Sequence, residues 1–162
     1  MKSKGLFVFV LLALLAFLLA ACGGEPATVS EIPAYPDATA LQPGEDPIAD
    51  TLVSNMEQEA NLRTNIGVGG SIEQMAYRLP AGTTWDQVKS FYDGELDSAG
   101  WESGMGGPGG NLASDIMESA NTGNELFQMA SWNKGDQILT LIRNINPTDE
   151  SQVYLIMSLN TN

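Results

Sequence analysis

One short string in the sequence has the spelling of a catalytic motif. Ser131 and Lys134 stand three residues apart, as in serine-lysine acyl enzymes, where a neutral lysine amine takes the proton of the serine hydroxyl. Those enzymes hold both residues on one helical turn, whereas these two run from the end of a predicted strand into a turn. The companion motifs Ser-Asp-Asn and Lys-Thr-Gly are absent from the sequence. We therefore interpret Lys134 as an exposed hairpin lysine.

A glycine-rich string at 104–109 has the GxGxxG spelling of a dinucleotide-binding loop. That chemistry requires a parallel strand before the glycines and a helix after them, so that free backbone amides meet the pyrophosphate. Pro108 lacks one of these amides, and no βαβ unit surrounds the string. The pattern instead favours a mobile loop over 104–110, and we predict no cofactor.

Several carboxylates offer acid-base chemistry. Glycoside hydrolysis needs two of them across a cleft, one with a raised pKa. The candidates are Asp93, Glu95, Asp97, Glu102 and Asp115. Nothing in their spacing fixes a pair, so a solvated surface is the favoured interpretation and a cell-envelope hydrolase is the alternative. The alternating acids of 93–97 fall inside a predicted helix and lack the glycine of a calcium loop, so we predict no metal site.

Aromatic residues are the remaining candidates for ligand binding. Rings that line a groove bind small ligands or glycans. The candidates are Tyr35, Tyr92, Trp101 and Trp132. Their helical and strand spacing favours a place in the core, so they are weak candidates.

Composition excludes several classes of function. The chain has 162 residues, with 7 Lys plus Arg against 20 Asp plus Glu, and a formal net charge of −13. So acidic a chain lacks the cations that bind nucleic acid. It has no His and one Cys, which excludes His-based catalysis, an intrachain disulfide and a multi-cysteine metal site.

The first residues have the pattern of a secretory signal. Lys2 and Lys4 precede an unbroken apolar run from Leu6 to Ala21, which ends at Cys22. The string Leu-Ala-Ala-Cys at 19–22 resembles the lipobox of bacterial lipoproteins. The resemblance implies cleavage before Cys22 and attachment of diacylglycerol and palmitate to that residue; an uncleaved transmembrane helix is the alternative.

This resemblance also implies the organisation and location of the chain. Residues 1–21 form the signal peptide, 22–31 a flexible tether, and 32–162 one extracytoplasmic domain. The protein is then anchored by lipid to a membrane and faces the outside of the cytoplasmic membrane. The sequence leaves inner and outer membrane both open.

Periodicity predicts the elements of that domain. The clearest is a helix over 84–99, where Thr84 and Gln87 form a capping box and Gly100 provides the stop. We also predict helices over 48–60 and 112–120, and strands over 71–79, 125–132, 137–145 and 152–159. The strand at 137–145 is apolar on both faces, so it should be central and covered on both sides, or pack against a partner. Together these elements predict a two-layer α+β domain, an antiparallel sheet packed against one main helix.

The mature part also resembles a family of small exported bacterial lipoproteins of no assigned activity. The shared motifs are an IPxYPxA entry at 32–38 and an FYxxxLxxxGW helix end at 91–101. These are packing and capping signatures, so the resemblance implies a fold and no catalytic residues. We therefore predict a non-catalytic binding domain for an envelope protein, glycan or small ligand.

Overall fold

A computed structural model describes residues 26–65, 70–106 and 110–162, and its centre is one antiparallel sheet of six strands. In chain order the strands are β1 (Thr39–Leu41), β2 (Ser71–Leu79), β3 (Glu102–Ser103), β4 (Phe127–Lys134), β5 (Gln137–Asn146) and β6 (Asp149–Thr161). In space they follow the order β1-β2-β6-β5-β4-β3. The helices are α1 (Pro47–Asn65), α2 (Trp85–Ser98) and α3 (Gly110–Asn121). A 3-10 turn spans Val29–Glu31.

Helix α2 begins and ends as its sequence predicts. The amide of Gln87 donates to Oγ1 of Thr84 at 3.3 Å, and the amide of Thr84 donates to Oε1 of Gln87 at 2.9 Å. Gly100 has a φ of 80°, a left-handed conformation that suits glycine, and the amide of Trp101 donates to the carbonyl of Leu96 at 2.9 Å. The capping box and the glycine stop are therefore confirmed.

One face of the sheet packs against α2, and we call the residues between them the α2-side core. Its helical members are Trp85, Val88, Tyr92 and Leu96, and its strand members are Tyr77, Leu79, Ala130, Trp132, Leu139, Leu141, Val153, Leu155, Met157 and Leu159. Alternate strand residues share a face, so each strand contributes every second residue. The prediction of an α+β domain whose antiparallel sheet packs against one main helix is confirmed.

The opposite face carries α1, whereas α3 lies along the β4 edge of the sheet. Ala49 of α1 packs with Ala76, Ile142, Tyr154 and Ile156, and we call this group the α1-side core. Strand β5 lies between β6 and β4 and contributes buried residues to both cores, so its predicted central place is confirmed.

The folded body begins earlier than residue 32, the predicted start of the domain. Val29 is buried in the α2-side core. Gln137 accepts a hydrogen bond from the amide of Ala27 at 2.9 Å and donates one to its carbonyl at 2.7 Å. Within the predicted tether at 22–31, the residues from Ala27 onward are therefore packed against the domain. Gln137 forms hydrogen bonds with both backbone groups of Ala27.

Strand boundaries differ from the predicted ones by a few residues. The hairpin predicted over 133–136 turns only at Gly135 and Asp136, and Gly135 has a φ of 59°. Strand β6 begins at Asp149, three residues before the predicted start at Gln152. The two shortest strands, β1 and β3, carry no apolar alternation and were not predicted from the sequence.

Several predicted features fall partly or wholly outside the described residues. These are the signal peptide at 1–21, Cys22 and part of the glycine-rich loop, residues 107–109. Gly110 already belongs to α3, so the predicted short helix over 112–120 is confirmed with slightly wider bounds. Among the described helices, none combines the length and the apolar composition that a membrane span needs.

Candidate functional site

The aromatic candidates lie in or against the α2-side core rather than along a groove. Tyr92, Trp101 and Trp132 are 0%, 3% and 1% exposed. Tyr35 is half-buried, and its ring meets Phe91 edge-on with centroids 5.4 Å apart. Burial raises the pKa of Tyr92, whose hydroxyl has no hydrogen-bond partner among the described residues. In these positions the rings stabilise the fold.

Ser131 and Lys134 both belong to β4. Side chains alternate between the two faces of a strand, so two residues three positions apart lie on opposite faces of the sheet. The hydroxyl of Ser131 lies 3.2 Å from Oγ1 of Thr140. Nζ of Lys134 donates to the carbonyl of Ala99 at 2.8 Å and lies 6.0 Å from the ring centroid of Trp101. The pair therefore does not have the geometry of a serine-lysine acyl enzyme.

The glycine string begins at a sheet edge and not after a parallel strand. Gly104 follows β3, and its amide donates to the carbonyl of Ser131 at 2.7 Å. Every strand pair in the described sheet is antiparallel. The arrangement needed for a dinucleotide is therefore absent around the described part of the loop.

The predicted carboxylates do not converge on a cleft. Asp93 Oδ2 binds Nζ of Lys89 at 2.6 Å, and Asp93 Oδ1 accepts from the indole N–H of Trp132 at 3.1 Å. The remaining candidates are exposed: Glu95, Asp97, Glu102 and Asp115. No group of three metal-ligating side chains occurs in the described ranges.

A buried carboxylate that sequence reasoning missed lies at the start of α1. Oδ1 of Asp46 accepts from the amides of Ile48 and Ala49 at 2.9 and 3.2 Å. Oδ2 accepts from the hydroxyl of Tyr154 at 3.0 Å and from the guanidinium of Arg78. Burial alone would raise the pKa of Asp46, but these hydrogen bonds outweigh it and hold the pKa below 3.8, its ordinary value.

The hydrogen bonds of Asp46 indicate a structural role. A general acid needs a carboxyl whose pKa is raised toward neutrality, and the hydrogen bonds on Asp46 favour the opposite, ionised form. Its position before Pro47 and its bonds to two amides are those of a helix N-cap. The signal in the sequence was an Asp directly before Pro at the predicted helix start.

A buried cation lies on the opposite face of the sheet. Arg143 is 6% exposed, and its Nε and Nη2 donate to the carbonyl of Thr83 at 3.0 and 2.7 Å. Its Nη1 donates to the carbonyl of Glu125 at 3.1 Å and to Oε1 of Gln128 at 3.0 Å. Burial lowers the pKa of Arg143, and the charge of Glu125 opposes this shift. Arg143 thus joins the loops that precede α2 and β4.

Helix α3 turns Asn121 and Met117 toward strand β4. Asn121 donates from Nδ2 to the carbonyl of Met129 at 2.7 Å and accepts from the amide of Met129 at 2.8 Å. The sulfur of Met117 accepts a weak hydrogen bond from Ser131 at 3.8 Å. The underlying strand edge offers backbone N–H and C=O groups, so polar side chains suit this side of the helix.

The outer surface of α3 is aliphatic. Leu112 and Ile116 are one turn apart, and they are 65% and 61% exposed. Asp115 and Glu118 are exposed on the same helix, and α3 contains no Lys or Arg. An apolar helix face normally turns toward the core, so the exposure of Leu112 and Ile116 makes the outer face of α3 a candidate binding surface. We call it the α3 surface.

Comparison of the chain with protein-family models, with curated proteins and with solved structures found no match.

Proposed function

We propose that this chain is a lipid-anchored extracytoplasmic lipoprotein whose folded domain binds a protein of the cell envelope without catalysing a reaction. The exposed pair Leu112 and Ile116 carries the proposal, because solvent-facing aliphatic residues on a helix whose inner side hydrogen-bonds to the sheet suit contact with another molecule. The lipobox motif ending at Cys22 supports the anchor. Two acyl chains hold a protein stably on a bilayer.

The chemistry of the α3 surface restricts the partner. Acidic side chains flank its aliphatic residues, and the whole chain has a net charge of −13. A second copy of the chain would bring like charges together. A partner with an apolar depression and a basic rim is complementary in both respects.

Metabolic labelling tests the anchor. Cells expressing the wild type should incorporate labelled palmitate or glycerol into the protein, and Cys22→Ser should remove both the label and membrane retention. Equal retention of the two proteins in the membrane fraction would contradict the proposed anchor.

Site-specific photocrosslinking tests the α3 surface. A photoreactive side chain at position 116 should give a discrete adduct in intact cells, and the same side chain at the exposed position 97 of α2 should not. Substitution Leu112→Asp should lower the yield of the adduct by about tenfold or more, since it puts a charge into an apolar contact. Equal adduct patterns at positions 116 and 97 would contradict this use of the surface.

A further inference from the structure

A groove lies between α1, the end of β1 and the start of β2, away from the α3 surface. It consists of two adjoining cavities of about 380 and 410 Å³. Both cavities are lined by Pro43, Val53, Glu57 and Gln74. The groove is thus bounded by a loop, a helix and a strand.

The strand that bounds this groove has a free edge. Strand β1 pairs only with residues 76–78 of β2, although β2 itself begins at Ser71. On its other side β2 pairs with β6 over its whole length. Within the described residues, the outer edge of β2 from Ser71 to Met75 therefore has no strand beside it. Such an edge offers backbone N–H and C=O groups to an incoming strand.

Gln74, within this free segment, has a side-chain amide without a hydrogen-bond partner among the described residues. Both Nε2 and Oε1 are shielded from solvent, and neither has a hydrogen-bond partner among the described residues. A buried primary amide without partners is costly, and native proteins rarely leave one unexplained. Gln74 lines both cavities, so a ligand in the groove lies next to this amide.

Two other side-chain amides in this protein pair with the backbone of an extended segment. Asn121 holds Met129 through both the N–H and the C=O of its backbone. Gln137 holds Ala27 in the same way. In each case one side-chain amide pairs with one residue of an extended chain. Gln74 has the same donor and acceptor and lacks such a residue.

The charge of the groove restricts what can enter it. Its lining includes the carboxylates Asp50 and Glu57, and none of its described lining residues is Lys or Arg. Both oxygens of Asp50 lie 3.1 Å from the amide of Gly44, whereas Glu57 is exposed. A cationic side chain on the ligand is therefore favoured.

We propose that this groove binds an extended peptide with basic side chains. The peptide continues the line of β1 along the free edge of β2, and Gln74 pairs with the N–H and C=O of one of its residues. A basic side chain meets Glu57, and small apolar side chains meet Val53 and Pro43. The inference rests on the proposal that the domain is a binding module, and it adds a ligand class and a second site.

A model peptide tests this inference. The probe is a fluorescein-labelled peptide of sequence Val-Lys-Val-Lys-Val, compared with its Val-Glu-Val-Glu-Val counterpart, against the full chain in detergent micelles. The Lys peptide should bind at least about tenfold more tightly, and its affinity should fall as salt is raised. Hydrogen exchange should slow within residues 71–75 when it binds.

Matched variants assign the binding to the groove. Gln74→Leu keeps the size of the side chain and should weaken binding about tenfold, whereas Gln58→Leu, on α1 but outside the groove, should not change it. Glu57→Lys changes an exposed helix residue and should weaken binding of the Lys peptide about fivefold or more. This variant keeps the test decisive if Gln74→Leu unfolds.

Three results would overturn the inference. They are equal binding of the two peptides, slowed hydrogen exchange that lies only outside residues 71–75, and unchanged affinity of Glu57→Lys for the Lys peptide. Cys22→Ser should bind the Lys peptide as the wild type does. Loss of the lipid anchor and loss of the peptide site are therefore separately observable.

Discussion

The indole N–H of Trp132 donates to Oδ1 of Asp93 at 3.1 Å, and this bond joins β4 to α2. In the sequence, the ring is a candidate for ligand binding and the carboxylate a candidate for catalysis. In the structure each partner satisfies the other, and Lys89 binds the second carboxylate oxygen. Both residues therefore hold the helix on the sheet.

Removal of this bond should destabilise the domain. Trp132 is 1% exposed, so in Asp93→Ala its N–H loses its partner inside the protein. We expect a loss of about 1 to 3 kcal/mol in the free energy of unfolding. Urea unfolding followed by tryptophan fluorescence measures this loss. Glu95→Ala, an exposed change on the same helix, should stay within about 0.5 kcal/mol of wild type; similar losses in both variants would contradict the prediction.

Trp101 should be among the residues on which stability depends most. It follows the glycine stop of α2 and is 3% exposed in the α2-side core. Trp101→Ala should lower the free energy of unfolding by about 3 to 5 kcal/mol, because it leaves a cavity. The control Leu112→Ala, at a largely exposed position, should cost less than about 1 kcal/mol. A negligible effect of Trp101→Ala would mean that the ring does not pack as described.

Asp46 should make stability depend on pH in the acid range. Its pKa in the folded state is below its ordinary value of 3.8, so it stabilises the fold above the unfolded pKa and loses this effect as pH falls through the folded pKa. Asp46→Asn should cost about 2 to 3 kcal/mol near neutral pH. Thermal unfolding between pH 7 and about pH 2.5 should show the difference from wild type shrinking at the acid end. A constant difference would contradict the assignment.

Arg143 should not be replaceable by another cation. Its planar guanidinium reaches Thr83, Glu125 and Gln128 at once, which a single ammonium group cannot do. Arg143→Met should cost about 2 to 4 kcal/mol, since it leaves the carbonyls of Thr83 and Glu125 unpaired. Arg143→Lys should recover less than half of that loss, as measured by urea unfolding. Full recovery by Lys would show that charge alone matters at this position.

The elements predicted well from sequence are those whose signals are local. The capping box of Thr84, the glycine at position 100 and the apolar periodicity of α2 all act within a few residues, so they determined the helix correctly. The two apolar faces of β5 predicted its central place for the same reason. Strands β1 and β3 were missed because their pairing with β2 and β4 is long-range and leaves no pattern in two or three residues.

The two proposed binding surfaces depend on relations that the sequence does not display. The apolar spacing of Leu112 and Ile116 predicted a helix, but a helix of that pattern is expected to bury them. Their exposure follows from the strand edge under α3, which selects Asn121 for the inner side. Gln74 is likewise an ordinary strand residue in sequence, and only the short β1 leaves the edge beside it free.

The two long edges of the sheet differ in a way that limits self-association. On the β4 side, the outward backbone groups of Met129 are taken by Asn121, the carbonyl of Ser131 by Gly104, and the amide of Phe127 by Asn124. On the β2 side, five residues stay open among those described. Growth of a fibre requires two unpaired strand edges per molecule, one for each neighbour. Because these groups on the β4 side are engaged, contact between copies through the β2 edge would stop at a pair and would not extend into an amyloid-like polymer.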